Sequence, residues 1–446
     1  RDVLGSRGLG DVYKRQEIKL IQRTEEKSLS SACFTVIMGR RRVGKTTLLR
    51  KALEGKRYIY LFVSRTNEAL LCDAFKKEIM NKLSIPIYGN PTRFVDLFEL
   101  LMQYASREHF TLIIDEFQDF DRVNPSIFSD IQNIWDQYSS QAKINFVVCG
   151  SIYSLMRQIF EDHKEPLFGR LTSKFILKPF KTSVLIEIMQ EHNPTFTPED
   201  LLCLYTLTGG VAKYVSLLMD AGAFTKDSMI DFLTQPDSPL LTEGKDMLIQ
   251  EFGRDYSTYF SVLQLIASGN TRQSEIDSII GKNSGPYLKN LSEDYSLIQR
   301  QLPLLAKPGT RNLRWFMSDN FLNFWFRFIY PHQSAIELEK YSQLNEYIKS
   351  HYVQYSGWML ERYFRERVAE TMNVTQVGNY WNTKRENEID LIALNDFEKS
   401  GVVAEVKRNP NKINYTVLAE KIANLPKEFT QYNLVQKGLS LEDMMK

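Results

Sequence analysis

An α/β fold built on a parallel sheet is what this sequence predicts, and three observations predict it. Short apolar runs alternate with helix-like runs from residue 17 to about 180, the pattern of a sheet covered by helices on both faces. Residues 39–46 read Gly39-Arg40-Arg41-Arg42-Val43-Gly44-Lys45-Thr46. This is a G-x-x-x-x-G-K-[ST] phosphate-binding loop, placed between a strand-like run (34–38) and a helix-like run (47–53). The apolar run 110–114 ends in Asp115-Glu116, two acids at a strand's carboxyl end, where α/β sheets bind ligands.

Taken in chain order, the loop at 39–46 is followed by a strand at 58–63, helices around 67–83 and 92–106, the strand 110–114, a helix around 126–140, and strands at 144–149 and 174–177. From about 182 to 240 the pattern turns helical, with Thr197-Pro198-Glu199-Asp200 as a helix start. Helices at 256–266, 273–280 and 285–291 then precede two strand-like runs, 297–302 and 313–317, joined by a turn at Lys307-Pro308-Gly309-Thr310. Three helices and a hairpin predict a winged helix. The aromatic stretch 321–328 reads as a packing element between domains. Beyond 335 come further helices, strands near 388–394 and 402–407, a helix near 415–424 and a strand near 430–436.

The totals bound the rest. At 446 residues the chain divides into two to four domains, and 43% hydrophobic with 25% charged residues is ordinary for packed cores with a wetted surface. A net charge of +2 excludes a chain-wide basic field. No apolar run approaches the ~18 residues of a membrane span. Cys33, Cys72, Cys149 and Cys203 sit scattered in apolar surroundings, which predicts reduced core thiols and a cytoplasmic location. The first residue is not Met, and Asp11-Val12-Tyr13-Lys14-Arg15-Gln16 is what a transposon-end sequencing adapter encodes in one frame. Residues 1–16 are therefore read as an adapter remnant, with native sequence expected upstream of Glu17.

The first chemical constellation is a nucleotide site. Residues Gly39, Arg40, Arg41, Arg42, Val43, Gly44, Lys45, Thr46 and Thr47 are its expected lining. Glycines let amides turn inward round an anion, and the following helix N-terminus adds partial positive charge. Lys45 is expected to reach the β- and γ-phosphates of ATP, and Thr46 and Asp115 to hold Mg²⁺. Glu116 is expected to position the attacking water. Ser151, after the strand 144–149, is a candidate γ-phosphate or water sensor, with Asn145 as its alternative and a helix cap as the bland reading. Arg170, in Phe168-Gly169-Arg170, is a candidate arginine finger, or else an ordinary ion-pair partner. Arg40, Arg41 and Arg42 are either solvated or in contact with a partner.

Together with Gly209-Gly210-Val211, these residues resemble the archaeal-type ATPases, a branch of the AAA-like P-loop proteins. The resemblance implies a P-loop NTPase parallel sheet with a strand between the loop strand and the acid-bearing strand, and a helical lid around Gly209-Gly210. The family pattern places a Pro after that pair and one further residue, where this chain has Ala212. Upstream, the family's adenine-contacting segment is replaced by the suspected adapter.

A second constellation lies near the C-terminus. Glu405 and Lys407, two apart on a strand, project to the same side, and Asp390 on the strand before can converge on them. Two carboxylates can hold Mg²⁺, and a lysine beside them can orient water or stabilise phosphodiester charge. Glu361, on a helix expected at 358–369, completes the set. The arrangement resembles the PD-(D/E)XK, restriction-endonuclease-like α/β fold. The same order of ATPase, winged helix, aromatic segment and nuclease-like tail occurs in archaeal-type ATPases whose C-terminal half is a domain of unknown function. Over 341–446, 14 Lys and Arg stand against 14 Asp and Glu, so nucleic-acid contact there needs a local patch, for which Arg362, Arg365, Lys384, Arg385, Arg408 and Lys412 are the candidates. The winged helix offers Lys282 and Lys289, and is read as either a DNA reader or a protein spacer.

The expected domains are a P-loop ATPase core at 17–182, a helical lid at 183–245, a winged helix at 246–320, an aromatic connector at 321–334 and a nuclease-like domain at 335–446. The expected activity is a Mg-dependent ATPase whose nucleotide state controls the C-terminal region in nucleic-acid processing or defence. The alternatives are an ATP-dependent signalling switch with an inert tail that binds protein or DNA, and a nucleotide-gated regulator using only the winged helix. ATP, and DNA or a protein partner or a second copy, are the expected partners, and no membrane.

Overall fold

The computed structural model describes residues 14–252, 256–307, 309–310, 312–384 and 386–446. Most of the suspected adapter (1–13), Pro308 of the expected turn and Arg385 of the expected basic patch lie outside the described residues. Two compact units divide the chain between Lys178 and Pro179.

In the first unit, α1 (Arg15–Ser28) is followed by β1 (Cys33–Met38), α2 (Lys45–Ala52), β2 (Tyr58–Phe62), α3 (Glu68–Leu83), α4 (Phe94–Ala105), β3 (Phe110–Asp115), α5 (Ile127–Tyr138), β4 (Ile144–Gly150), α6 (Tyr153–Glu161) and β5 (Ser173–Ile176). The strands form one sheet of order β2-β3-β4-β1-β5, parallel throughout. The residue types explain the order. Every residue of β1, β3 and β4 is buried, as their unbroken apolar runs require of central strands. Exposed or half-exposed residues break up β2 and β5, the two edges. One face packs Phe34, Phe94, Phe98, Phe117 and Phe146, and the other packs Ile37, Leu48, Leu49, Ile113 and Val147. All four cysteines are buried and unbridged.

The second unit opens with α7 (Thr182–His192), α8 (Pro198–Thr208), α9 (Ala212–Asp220), α10 (Lys226–Leu233) and α11 (Leu240–Phe252). The start of α8 is a capping box: Thr197 accepts from the Asp200 amide and Asp200 accepts from that of Thr197. Gly210 has φ 74°, and a Cβ there would come within 2.3 Å of the Phe180 carbonyl, so only glycine lets α8 turn into α9. Next come α12 (Tyr256–Ala267), α13 (Gln273–Ile280), α14 (Gly285–Glu293) and a hairpin of β6 (Ile298–Gln301) with β7 (Arg314–Met317). The aromatic run forms α15 (Asn320–Phe324) and a π-turn (Trp325–Ile329). Its rings pack on Tyr214 of α9, Phe260 of α12 and Tyr355.

The last segment is built on α16 (Tyr341–Thr371), a single 31-residue helix in which the expected run 358–369 is the C-terminal part. It is followed by β8 (Gln376–Trp381), β9 (Glu388–Asn395), β10 (Ser400–Val406), α17 (Tyr415–Ala423) and β11 (Asn433–Leu439). These four strands make a mixed sheet of order β11-β10-β9-β8, with β10 parallel to β11 and the other pairs antiparallel. Sequence reading missed β8, whose polar and glycine-bearing run QVGNYW carries no apolar alternation.

Among the described residues, three arginines of the expected basic patch are turned to other partners. Arg362 donates to the Met317 and Ser318 carbonyls at 2.8 and 2.6 Å. Arg365 donates to the Asp390 carbonyl at 2.9 Å. Arg408 reaches Ser356 at 2.6 Å and Glu199 at 2.5 Å. These guanidiniums tie elements together from within, leaving Lys384 and Lys412 exposed but unaccompanied by them.

Candidate functional site

At the carboxyl ends of β1, β3 and β4 the first unit assembles its polar residues. The Gly39 amide donates to the Gly150 carbonyl at 3.2 Å, joining the loop to β4. Arg42 (φ 72°) and Gly44 (φ 97°) take the left-handed backbone that closes the loop, and Gly44 caps α2. Val43 anchors the loop in the core, while Arg40 and Arg41 are half-buried and Arg42 and Thr47 exposed. The buried Lys45 ammonium lies across the loop, donating to the carbonyls of Gly39 at 2.6 Å and Arg40 at 3.2 Å.

Asp115 ends β3 one strand beyond β4. Its Oδ2 accepts from Thr46 Oγ1 at 3.2 Å and from the Tyr60 phenol at 2.5 Å. The Thr46 hydroxyl and the Asp115 carboxylate thus meet beside the loop, oxygens that suit a hard divalent cation, with the Tyr60 hydroxyl donating to the acid. Tyr60 was not foreseen. Burial and then Asp115 push its pKa up, so it remains a hydrogen-bond donor at neutral pH. Its only sequence signal was a hydroxyl on a strand next to the acid-bearing one.

Glu116 stands at φ 53°, a left-handed position that costs a non-glycine residue about 1 kcal/mol or more. Its Oε2 accepts from Ser151 Oγ and from Gln118 Nε2, both at 2.6 Å. The expected Ser151 therefore reaches the site, and does so through Glu116. It does not cap α6, whose N-cap is Ile152 with no side-chain bond. Gln118, a second residue not foreseen, comes close because Gly150 has no side chain. A Cβ there would lie 2.6 Å from Gln118 Oε1 and 2.3 Å from the Met156 sulfur.

Two expected placements differ. Asn145 lies at the far end of β4, paired in register with Cys33 and Thr111 and bonded to Glu25 at 3.0 Å. Five residue steps of strand, about 16 Å, separate it from Gly150, so in this structure it lies away from Glu116 and Ser151. Arg170 makes a forked ion pair with Asp136 at 2.6–3.2 Å and donates to the Pro166 and Phe168 carbonyls at 2.7 and 3.0 Å. In this arrangement it is an ion-pair partner and does not join Lys45, Asp115 and Glu116.

In the second unit the C-terminal acids do converge. Lys407 Nζ lies 3.1 Å from Asp390 Oδ2, 3.3 Å from Glu405 Oε1 and 3.2 Å from the Val406 carbonyl. Burial alone would lower the lysine, but Asp390 and Glu405 outweigh it and hold the ammonium above its ordinary value. Asp390 Oδ2 also accepts the Val406 amide at 2.9 Å, fixing β9 to β10. Glu405 is buried, and its Oε2 has no hydrogen-bond partner. Among the described residues no three His, Cys, Asp or Glu side chains are grouped to hold a metal ion. The cradle here is two carboxylates and one backbone carbonyl, and the ammonium is its cation.

Glu361 approaches the cluster from α16, with Arg365 one turn on at 3.8 Å. Burial, then the charge of Asp390, push the Glu361 carboxyl up from 4.5 to about 8. A carboxyl raised on folding holds its proton more tightly in the folded chain. Its contribution is thus present below about 4.5 and lost as pH rises through about 8. Glu361→Gln should melt like the parent at pH 5 in metal-free buffer. At pH 9 it should be more stable by roughly 2 kcal/mol, after discount for partial exposure, or about 4–8 °C. Thermal melts across this range check it.

Comparison with known proteins bears on the family and the fold. Residues 14–218 match an ATPase domain predominantly from Archaea. Residues 325–417 match a domain described as archaeal and bacterial proteins of unknown function. Over 412 residues the chain is 32% identical to the uncharacterized protein MJECL04 of Methanocaldococcus jannaschii, covering 89% of this chain and 87% of that one. The chain belongs to the archaeal-type ATPase family. Over 73% of its length the chain is similar in fold to the Walker-type ATPase paby2304 of Pyrococcus abyssi, at TM-score 0.55 and 18% identity over 99% of that chain. The strand order expected from the family resemblance, with β4 between β1 and the acid-bearing β3, is the one observed. Where a family Pro was expected, Val211 caps α9 and Ala212 begins it. Among the described residues no helix is long and apolar enough to cross a membrane.

Proposed function

We propose that this ATPase binds Mg·ATP over residues 39–47, hydrolyses it by in-line attack of water, and uses its nucleotide state to control a C-terminal region acting on nucleic acid. The observation that carries the first part is the convergence beside the loop of Lys45 and Thr46 after β1 with Asp115 and Glu116 at the end of β3, Tyr60 reaching Asp115 from β2. On this reading Lys45 leaves the loop carbonyls for the β- and γ-phosphates. Thr46 and Asp115, steadied by Tyr60, would hold Mg²⁺, which when bound supplies charge stabilisation at the phosphates. Ser151 and Gln118 aim the Glu116 carboxylate, and Glu116 accepts the proton of the attacking water. Steady-state ATP turnover by the parent and by Glu116→Gln tests it.

Control of the second unit is supported by where the loop begins. A Cβ on Gly39 would come within 2.8 Å of the Leu177 carbonyl, and the Leu177 amide donates to Met38 at 2.7 Å. Only five residues, 177–181, separate β5 from α7. A shift of the loop on phosphate binding therefore presses directly on the chain that leads into the second unit.

For that unit we propose a winged helix at 246–320, and at 335–446 a nuclease-like module whose phosphodiester site is the Asp390–Glu405–Lys407 cluster. The orphaned Glu405 Oε2 and the oxygen cradle support a divalent cation there. Asp390, Glu405 and the Val406 carbonyl would hold it, and it would stabilise charge on a phosphodiester. A second reading, a nucleotide switch whose tail docks without cleaving, is favoured by the inward use of Arg362, Arg365 and Arg408. Substitution of Lys407 separates the two.

A further inference from the structure

Beside the acid–lysine cluster, within the second unit, lies a cavity of about 490 Å³. It is within the ~300–1,000 Å³ range of small-ligand sites, wide enough for one nucleotide and too small for a run of stacked base pairs. Glu361 and Asp390 form part of its wall. Another part is aromatic: Trp358 of α16 and Phe316 of β7 both line it, their rings stacked 6.0 Å apart and 14° from parallel. Such a surface suits the face of a base, and stacking on it is indifferent to sequence.

The polar lining completes the match. Asn379 Oδ1 and Arg314 Nε are both buried and without a hydrogen-bond partner. Arg314 is held in place by Glu388 at 2.5 Å and by the Trp381 ring at 4.5 Å. An unmet acceptor and an unmet donor on two lining residues give the cavity a polar wall suited to the edge of a base. Arg327, also in the lining, forms no ion pair among the described residues and is available to a phosphate.

We infer that this cavity seats a single unstacked nucleotide of a single-stranded nucleic acid, its base against Trp358 and its backbone directed to Asp390. The seat deepens the proposed phosphodiester site and rests on that reading for its biological use. It explains why the module needs no broad basic surface. The base is gripped by stacking and by two unmet polar atoms, and phosphate contact falls to few cations.

The test is fluorescence anisotropy of labelled dT12 and rU12 with the 446-residue chain in EDTA, so that binding is read without cleavage. The parent should bind one or both single strands at least about tenfold more tightly than a blunt 12-bp duplex. Trp358→Ala should weaken this by roughly 10-fold or more, and Trp358→Phe should restore most of it. Arg327→Gln, away from the stacked rings, should weaken binding and lower the salt slope by about one. Parent-like binding by both Trp358→Ala and Arg327→Gln would overturn the seat. So would equal affinity for the duplex, or binding of free dTMP with none of either strand. A separate assay with Mn²⁺ judges the cluster: absent cleavage by a chain that still binds dT12 through Trp358 refutes the phosphodiester site and leaves the nucleotide seat standing.

Discussion

Glu116→Gln should slow ATP turnover by about 10²–10⁴-fold while changing Mg·ATP affinity by no more than about threefold. The size follows from what the carboxylate does in the geometry described. It sits at a strained left-handed position, which only a supporting structure maintains. Ser151 and Gln118 both donate to one of its oxygens at 2.6 Å, so its direction is set before ATP arrives. The amide of glutamine fills the same space but does not take a proton from water. On the proposed reading affinity should survive, because Lys45 and the loop amides would meet the phosphates and Thr46 and Asp115 the cation. A coupled-enzyme assay beside calorimetric titration separates the two effects. A fall in affinity matching the fall in rate would assign Glu116 to binding instead.

Lys407→Met should have opposite effects on metal binding and on chemistry. The ammonium lies within 3.1–3.3 Å of Asp390, Glu405 and the Val406 carbonyl, so a divalent cation has to displace it. Removing a unit charge from that position should tighten Mn²⁺ binding by about tenfold, a small part of the ~4 kcal/mol that two charges 4 Å apart exchange near a protein surface. If the cluster cleaves phosphodiesters, the same substitution should reduce cleavage by at least about 100-fold, because the charge that orients water and steadies the phosphate is gone. Calorimetry with Mn²⁺ and a single-strand cleavage assay read the two sides. Cleavage that ignores Lys407→Met and Asp390→Ala alike would make the tail a docking module.

Much of this was legible in the residue pattern, for identifiable reasons. The central strands could be read because burial on both faces demands unbroken apolar runs, as in FTLIID and INFVVCG. The loop and the acid pair could be read because phosphate and metal chemistry restrict residue types at fixed spacing. Asp390, Glu405 and Lys407 could be related because a strand's two-residue period puts Glu405 and Lys407 on one side. What escaped was set by neighbours distant in sequence. Tyr60 acts through Asp115 on the adjacent strand, and Gln118 is admitted by the missing side chain of Gly150. Asn145 misled because a polar residue in an apolar strand was read without its register, and Glu25 of α1 turned out to be its partner. Arg362, Arg365 and Arg408 misled because composition counts charges without showing that carbonyls, a hydroxyl and an acid already claim them.

The central claim, that a triphosphate is held by the loop at 39–46 with Lys45 as its cation, is tested most directly by isothermal titration of ATP with Mg²⁺ into the parent and into Lys45→Ala. The parent should bind at one site, and the variant should lose about 10- to 100-fold in affinity, as expected for removal of a charged hydrogen-bond donor. Equal affinities in a folded Lys45→Ala chain would contradict the account.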